Sequence, residues 1–208
     1  MNIANQLSSA QDRRDQDLNF GLAEQIATRR NGSDVKELLA LAHTGTRTQK
    51  HDAIKVLYEI GRRGPDLIAP HLDALIDLIA VRDNRMIWGA MTAIAMITHE
   101  QPKTVYAHLD QICRAAERGS VIAKDQAVTI LVSLMADGDL QDEIAPVLLD
   151  HIRLAAINQL PMYADMAMPV LEEKYADDLK TVLMTRLAES MPDSKRRRLE
   201  KVVKALSV

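Results

Sequence analysis

The sequence contains few aromatic residues and a single cysteine. Phe, Tyr and Trp together make up 3% of the 208 residues, and Trp88 and Phe20 are the only members of their types. A core with so few rings has to be filled by Leu, Ile, Ala and Met, and the ten Met residues suit irregular gaps between helices. Because Cys113 is the only cysteine, an internal disulfide and a cysteine-rich zinc site are excluded, and a reducing compartment is indicated.

Two further absences limit the classes of function. The net charge is −3, so no overall electrostatic bias favours nucleic acid or an anionic membrane as the partner. No apolar run approaches the length of a membrane span, and the polar stretch 1–16 lacks the apolar core of a secretory signal. We therefore expect a cytoplasmic protein that does not bind a membrane.

The spacing of the apolar residues is helical throughout, and sustained strand-like alternation is absent. Leu18, Leu22 and Ile26 form the apolar stripe of a helix over 17–30. The polar segment 1–15 before it is expected to be loose. Ten further helices are predicted over 34–43, 48–62, 65–81, 84–99, 103–118, 120–136, 140–156, 160–175, 177–190 and 193–206. The turns between them are short, so successive helices should be antiparallel neighbours.

A repeat with a step of 37 residues relates three of these helices. The aligned apolar positions are Ala53, Ala90 and Ala127, then Leu57, Ile94 and Leu131, then Ile60, Ile97 and Leu134. In the helices that follow, residues 70–73 (PHLD) align with residues 107–110 (AHLD) at the same step. A period of this length with two helices per unit is typical of a solenoid, in which the stacking of units forms a continuous core.

The repeated helices share a recognisable pattern. It reads A-x-x-[AVI]-[LI]-x-x-[IL] and occurs as AIKVLYEI, AMTAIAMI and AVTILVSL. The helix that precedes the second copy has leucine-type spacing, with Leu72, Leu75, Ile76 and Ile79. In these two patterns, residues 33–175 resemble the HEAT repeats of the HEAT/armadillo family.

The resemblance implies an all-α fold, a right-handed α–α superhelix of about five helical hairpins. Residues 1–32 would form an N-terminal polar segment and a capping helix, and residues 33–208 a single solenoid domain. The family usually has an Arg early in the second helix of each repeat. Here Lys50, Ile87 and Lys124 occupy that position, so the usual Asp–Arg ladder is incomplete.

The resemblance also implies that the second helix of each hairpin lines the concave wall. The positions beside the aligned Ala, Leu and Ile residues should face that groove. Several of them are Trp, Tyr, Met or Thr rather than Glu, Lys or Gln, which indicates an interaction surface. The candidate partner-binding residues are His51, Lys55, Tyr58, Arg85, Trp88, Thr92, Lys124, Asp125, Thr129, Met162 and Met166.

Two alternatives to an open groove remain. If the helical phase is wrong by one residue, Trp88 belongs to the core. If the patch is real, a second copy of the chain could cover it in a homodimer. Otherwise we expect the groove to bind a protein or peptide partner.

No sequence motif of catalysis or of cofactor binding is present. The chain lacks a P-loop, a dinucleotide fingerprint, G-x-S-x-G and H-E-x-x-H. We therefore expect a non-enzymatic scaffold or adaptor without a cofactor or metal. His71 and His108 occupy equivalent repeat positions, but two histidines without a third ligand make a weak zinc site.

An enzymatic alternative comes from bacterial DNA glycosylases that are built of HEAT-like repeats. Those enzymes use a concave Asp with aromatic and basic neighbours, and here Trp88, Asp125, Lys124 and Arg85 could lie near one another. However, the chain offers one Trp and no strongly basic wall, and catalysis on a base requires a way to hold an unstacked nucleotide. We therefore do not expect nucleic acid as the partner.

Two other features favour structural roles. Cys113 aligns with Ile76 in the repeat, so we expect a small buried hydrophobic residue rather than a nucleophile. The basic run 195–198 (KRRR), followed by Lys201 and Lys204, could bind phosphate or an acidic partner. We expect instead the solvated outer face of a terminal helix, which a repeat protein needs.

Overall fold

The computed structural model describes residues 2–11, 16–136 and 138–206, so residues 1 and 12–15 of the predicted N-terminal segment lie outside the described part. Within these ranges the chain forms twelve α-helices and six short 3-10 helices, and it contains no strand. The α-helices are α1 (Asp17–Arg29), α2 (Gly32–Thr44), α3 (Arg47–Gly61), α4 (Leu72–Ile79), α5 (Asn84–Ile97), α6 (Pro102–Ala107), α7 (Leu109–Arg118), α8 (Val121–Met135), α9 (Gln141–Arg153), α10 (Leu160–Ala167), α11 (Ala176–Leu187) and α12 (Asp193–Ala205). The predicted all-α class is confirmed.

Three of the predicted helices are shorter or broken. The region 65–81 begins with two 3-10 turns, because Pro70 has no N–H to donate within a helix, and α4 starts only after it. The region 160–175 ends as an α-helix at Ala167, two residues before Pro169. The region 103–118 is divided at His108 into α6 and α7.

The start of the chain is packed against the helices. Residues 2–11 form two 3-10 helices, and Ile3 and Leu7 are almost completely buried. The N–H of Ser9 donates to Oδ2 of the buried Asp52 at 2.7 Å. The expectation of a loose terminus is therefore wrong for residues 2–11, because two apolar side chains and a buried carboxylate hold them.

The chain divides into two compact units, Met1–Ala127 and Val128–Val208. In the first unit, α1, α3 and α5 lie side by side in one row, and α2, α4 and α7 lie in a second. In the second unit, α9 packs against α10 and α11, and α12 packs against α10 and α11. In both units some consecutive helices are in contact, such as α2 with α3 and α11 with α12. The superhelical arrangement of the whole chain remains a prediction.

The aligned repeat positions lie in the core. All nine, which are Ala53, Leu57, Ile60, Ala90, Ile94, Ile97, Ala127, Leu131 and Leu134, are buried. The helices of the first unit also approach closely, because a Cβ on Gly89 of α5 would lie 2.7 Å from Cγ1 of Ile54 in α3. The core predicted from the repeat is confirmed at these positions.

Arginines at the ends of two helices hold the last carbonyls of a neighbouring helix. In the first unit, Nη2 of Arg118 donates to the carbonyl of Ile79 at 3.3 Å. In the second, Arg186 donates to the carbonyl of Arg153, the last residue of α9, at 2.6 Å and to that of Ala155, just beyond α9, at 2.9 Å. The final carbonyls of a helix have no partner within the helix, so these contacts satisfy groups that burial would otherwise leave unpaired. None of the helices in the described ranges has the length and apolar composition that a membrane span requires.

Candidate partner-binding face

Five of the candidate residues lie on the same side of α3 and α5 in the first unit. His51, Lys55 and Tyr58 follow one another at helical spacing on α3, and Arg85 and Trp88 do so on α5. The rings of Tyr58 and Trp88 lie 5.8 Å apart, centre to centre, with their planes inclined by 51°. We call these five residues the α3–α5 face.

The ammonium group of Lys55 is held in the middle of this face. Its Nζ lies 4.0 Å from the centre of the Phe20 ring and 4.6 Å from the centre of the Tyr58 ring. It also donates to Oε1 of Glu59 at 2.8 Å. Contacts of a cation with ring faces are attractive, and they gain strength when water is excluded. Lys55 therefore has a defined position between α1 and α3.

Glu59 is a nearly buried carboxylate, 3% exposed, surrounded by cations. Besides Lys55, Nη1 of Arg63 lies 2.8 Å and Nη1 of Arg62 3.7 Å from its oxygens. Burial raises the pKa of Glu59, but the hydrogen bonds from Lys55 and Arg63 outweigh burial, so its pKa lies below the ordinary value. Glu59 is thus ionised at neutral pH, and this part of the molecule still has an excess of positive charge.

A second carboxylate connects the two helices. Oδ1 of Asp83 accepts the N–H groups of Arg85 at 2.9 Å and Met86 at 3.4 Å, which caps the start of α5. Its Oδ2 lies 2.8 Å from Nε2 of His51 on α3. Burial raises the pKa of Asp83, but the hydrogen bonds from His51 and the two N–H groups lower it below the ordinary value.

Two candidate residues are less accessible than the open-groove prediction requires. Tyr58 is only 5% exposed, because its ring lies beneath the cations of Lys55 and Arg62 and against Trp88. Thr92 is 4% exposed, and its hydroxyl donates to the carbonyl of Trp88 at 2.7 Å. The expectation that these two side chains face open solvent is wrong. Trp88 itself is partly exposed and does not belong to the buried core.

The other candidates lie on α8 and α10. Lys124 is exposed and Asp125 partly exposed, both in the first unit. Thr129, Met162 and Met166 belong to the second unit, and each is partly exposed. All five residues of the α3–α5 face therefore belong to the first unit.

Three residues that contact the α3–α5 face were not predicted from the sequence. Glu59 could have been found, because it lies four residues from both Lys55 and Arg63, the spacing of ion pairs on a helix. Asp83 directly precedes α5 and is a favoured N-cap residue. Phe20, 40% exposed, lies on α1, and no local pattern connects it with α3.

The thiol of Cys113 is not activated for nucleophilic attack. Cys113 is partly exposed rather than buried, and burial, followed by the nearby carboxylates of Asp110 and Glu117, raises the pKa of its thiol to about 11. A thiol of this kind is protonated at neutral pH and a poor nucleophile. Within the described residues, no group of three or more His, Cys, Asp or Glu side chains could hold a metal ion.

Most of the basic run at the start of α12 is engaged within the second unit. Lys195 donates to the carbonyl of Asn158 at 3.2 Å, and Arg196 to the carbonyl of Leu187 at 2.7 Å. Arg198 forms an ion pair with Asp165. The expected solvated face is therefore found at Arg197 and Arg198, which are exposed, but Lys195 and Arg196 are only partly exposed and are bonded to carbonyls of the same unit.

No protein-family model matches the chain, and no curated protein matches it. What the chain binds has therefore to be inferred from the geometry of the α3–α5 face.

Proposed function

We propose that this chain is a non-enzymatic scaffold or adaptor of the HEAT-repeat type, and that its α3–α5 face binds a protein or peptide partner. The observation that carries the proposal is the position of Trp88. Its ring is partly exposed, packs on Tyr58 at 5.8 Å, and lies on the same side as two cationic side chains, Lys55 and Arg85. Trp and Arg are enriched among residues that dominate binding energy at interfaces.

The rigidity of the face supports the same proposal. Lys55 is fixed by Glu59 and two rings, and His51 is fixed by Asp83. Side chains that are already ordered lose little conformational freedom on binding, so more of the contact energy remains as affinity. A solenoid of stacked hairpins, which the repeated core positions favour, is the kind of scaffold that repeat proteins use for binding.

The test is affinity capture with the full chain immobilised, exposed to native lysate, followed by identification of the retained proteins. Wild type is compared with Trp88→Ala and with Met184→Ala, which truncates a side chain on α11 that is 55% exposed. Loss of an interface Trp typically costs about 2 kcal/mol or more, so retention of the partner should fall by at least about tenfold. Met184→Ala should retain the same proteins as wild type.

The opposite pattern would show that Trp88 serves folding. In that case Trp88→Ala would lower the melting temperature sharply and leave the retained proteins unchanged. Light scattering tests whether a second copy of the chain covers the face instead. We expect a monomer at high concentration; a dimer that Trp88→Ala dissociates would assign the face to self-association.

A further inference from the structure

A pocket of about 290 Å³ lies beside the α3–α5 face, where the turn between α2 and α3 meets the loop between α4 and α5. Ala42, Leu78 and Met86 line it with apolar atoms, and all three are buried. Val81, which is 38% exposed, forms an accessible part of the apolar lining. Ligand pockets usually have volumes of roughly 300–1,000 Å³, so this one has room for one or two side chains rather than a large ligand.

Two cationic side chains lie at this apolar space. Arg47, whose side chain is 83% exposed, and Lys50 both line the pocket. Among the described residues that line the pocket, Asp83 is the only carboxylate. Asp83 is ionised and its Oδ2 lies 3.6 Å from Nε of Arg47, so it offsets one of these two cations. Two cations and one carboxylate still leave the rim with an excess of positive charge.

Asp83 also makes the pocket continuous with the α3–α5 face. Its Oδ2 lies 2.8 Å from Nε2 of His51, a member of the face, and 3.6 Å from Nε of Arg47 at the pocket. A single extended segment could therefore contact Trp88 and the pocket together.

We propose that the pocket receives an aliphatic side chain from an acidic segment of the partner, whose flanking carboxylates pair with Arg47 and Lys50. The inference rests on the proposed function and adds the chemistry of the partner. Charge complementarity selects the acidic sequence, because opposite charges at the rim raise the association rate and exclude cationic competitors. The apolar lining selects an aliphatic side chain and gives no advantage to the phosphate backbone of a nucleic acid.

The probe is a fluorescein-labelled peptide, Glu-Glu-Leu-Glu-Glu, whose binding to the full chain is measured by fluorescence anisotropy at low salt. Two matched peptides, Glu-Glu-Ser-Glu-Glu and Lys-Lys-Leu-Lys-Lys, test the aliphatic side chain and the charge. We expect the first peptide to bind at least about tenfold more tightly than either control, a difference of about 1.4 kcal/mol. Its affinity should fall as salt is raised, since exposed ion pairs are screened.

Protein variants locate the binding site. Lys50→Glu and Arg47→Glu should each weaken binding of the acidic peptide by about tenfold, and Val81→Ser by a smaller factor. Lys36→Glu makes the same change of charge at an exposed position of α2 outside the pocket and should change binding less than about twofold. Arg47 is so exposed that its replacement should leave the fold unchanged, which circular dichroism checks.

Three results would overturn the inference: no preference for the leucine peptide, equal weakening by Lys50→Glu and Lys36→Glu, or tighter binding of labelled duplex DNA than of the acidic peptide. The outcome is separable from that of the proposed function. If capture of the partner depends on Trp88 but the acidic peptide does not bind, the pocket assignment fails and the α3–α5 face remains. If neither Trp88→Ala nor Lys50→Glu affects capture, both proposals fail.

Discussion

Nε2 of His51 lies 2.8 Å from Oδ2 of Asp83, while Oδ1 of the same carboxylate accepts the N–H groups at the start of α5. The side chain of Asp83 therefore caps the start of α5 and also orients the ring of His51 on α3. Because the carboxylate has both tasks, its replacement should affect the stability of α5 and the geometry of the α3–α5 face in separable ways.

Asp83→Ala should lower the free energy of unfolding by about 1–2 kcal/mol, since an N-cap residue is lost. Asp83→Asn should cost less, because Asn is an equally good N-cap and keeps an acceptor for the N–H of Arg85. Urea denaturation of the two variants measures the difference. Equal losses would mean that the charge near His51, rather than the cap, is what stabilises the fold.

The lowered pKa of Glu59 leads to a prediction for the stability of the protein at acid pH. The folded-state pKa of Glu59 lies below the ordinary value of 4.5, so its contribution to stability is present above that pH and is lost as pH falls through the lowered pKa. Glu59→Gln should be less stable than wild type at pH 7, because Lys55 loses its counter-charge in a nearly buried site. The gap should narrow below about pH 4.5, since wild-type Glu59 is then increasingly protonated and is no longer ionic. Thermal unfolding of both proteins between pH 7 and pH 3 measures the gap, and a gap that is constant over this range would contradict the role of the ionised carboxylate.

The sequence was sufficient to predict most of the helices and much of the core of the first unit. Apolar residues equivalent to Ala53, Leu57 and Ile60 recur every 37 residues along the chain, and all of them are buried. Helices that stack on one another bury equivalent positions in this way. The same helical spacing predicted that His51 and Trp88 lie outside the core, and both are partly exposed in the structure. Local periodicity therefore carried information on which side of each helix is buried.

Periodicity could not predict how side chains cover one another. Tyr58 occupies an outward position of α3, yet the cation of Lys55 and the ring of Trp88 lie against it and exclude water. Phe20 contributes from α1, and its contact with Lys55 depends on the packing of α1 against α3. Such contacts depend on side-chain length and on the relative position of two helices, and a single-helix pattern contains neither.

The close approach of α3 and α5 can be tested with two glycines. A Cβ on Gly89 would lie 2.7 Å from Cγ1 and 3.1 Å from Cγ2 of Ile54, both close to the backbone of α3 and unable to move aside freely. Gly89→Ala should therefore destabilise the protein by about 1–3 kcal/mol, although Ala is the better helix former. Gly21→Ala on α1 is the matched control: nothing lies within 4 Å of the added methyl group, so a gain of up to about 1 kcal/mol is expected. Urea denaturation should show opposite signs for the two variants, and a gain in both would mean that α3 and α5 have room to separate.

Asp52 predicts how the first residues of the chain are held. Its Oδ2 accepts the N–H of Ser9 at 2.7 Å, and its Oδ1 accepts Nδ2 of Asn19 at 2.8 Å, both in a largely buried site. Asp52→Ala leaves the N–H of Ser9 without an acceptor, which costs about 1–3 kcal/mol when water cannot reach it, whereas Nδ2 of Asn19 keeps its hydrogen bond to Oε1 of Gln16 at 2.9 Å. In this variant we expect residues 2–11 to detach before the rest of the first unit unfolds. Detachment exposes the buried Leu7 to water, but it also lets water form a hydrogen bond with the N–H of Ser9. Hydrogen exchange at Ser9 should accelerate strongly while exchange in the centre of α3 changes little.

Asp73→Ala provides the comparison, since its side chain is 91% exposed and its removal should change the free energy of unfolding by less than about 0.5 kcal/mol. Two results would contradict the anchoring role of Asp52. One is unchanged exchange at Ser9 in Asp52→Ala, which would mean that burial of Ile3 and Leu7 alone holds the segment. The other is equal acceleration at Ser9 and in α3, because the segment would then unfold only together with the helices. The buried carboxylate is thus expected to decide whether the start of the chain opens by itself or only with global unfolding.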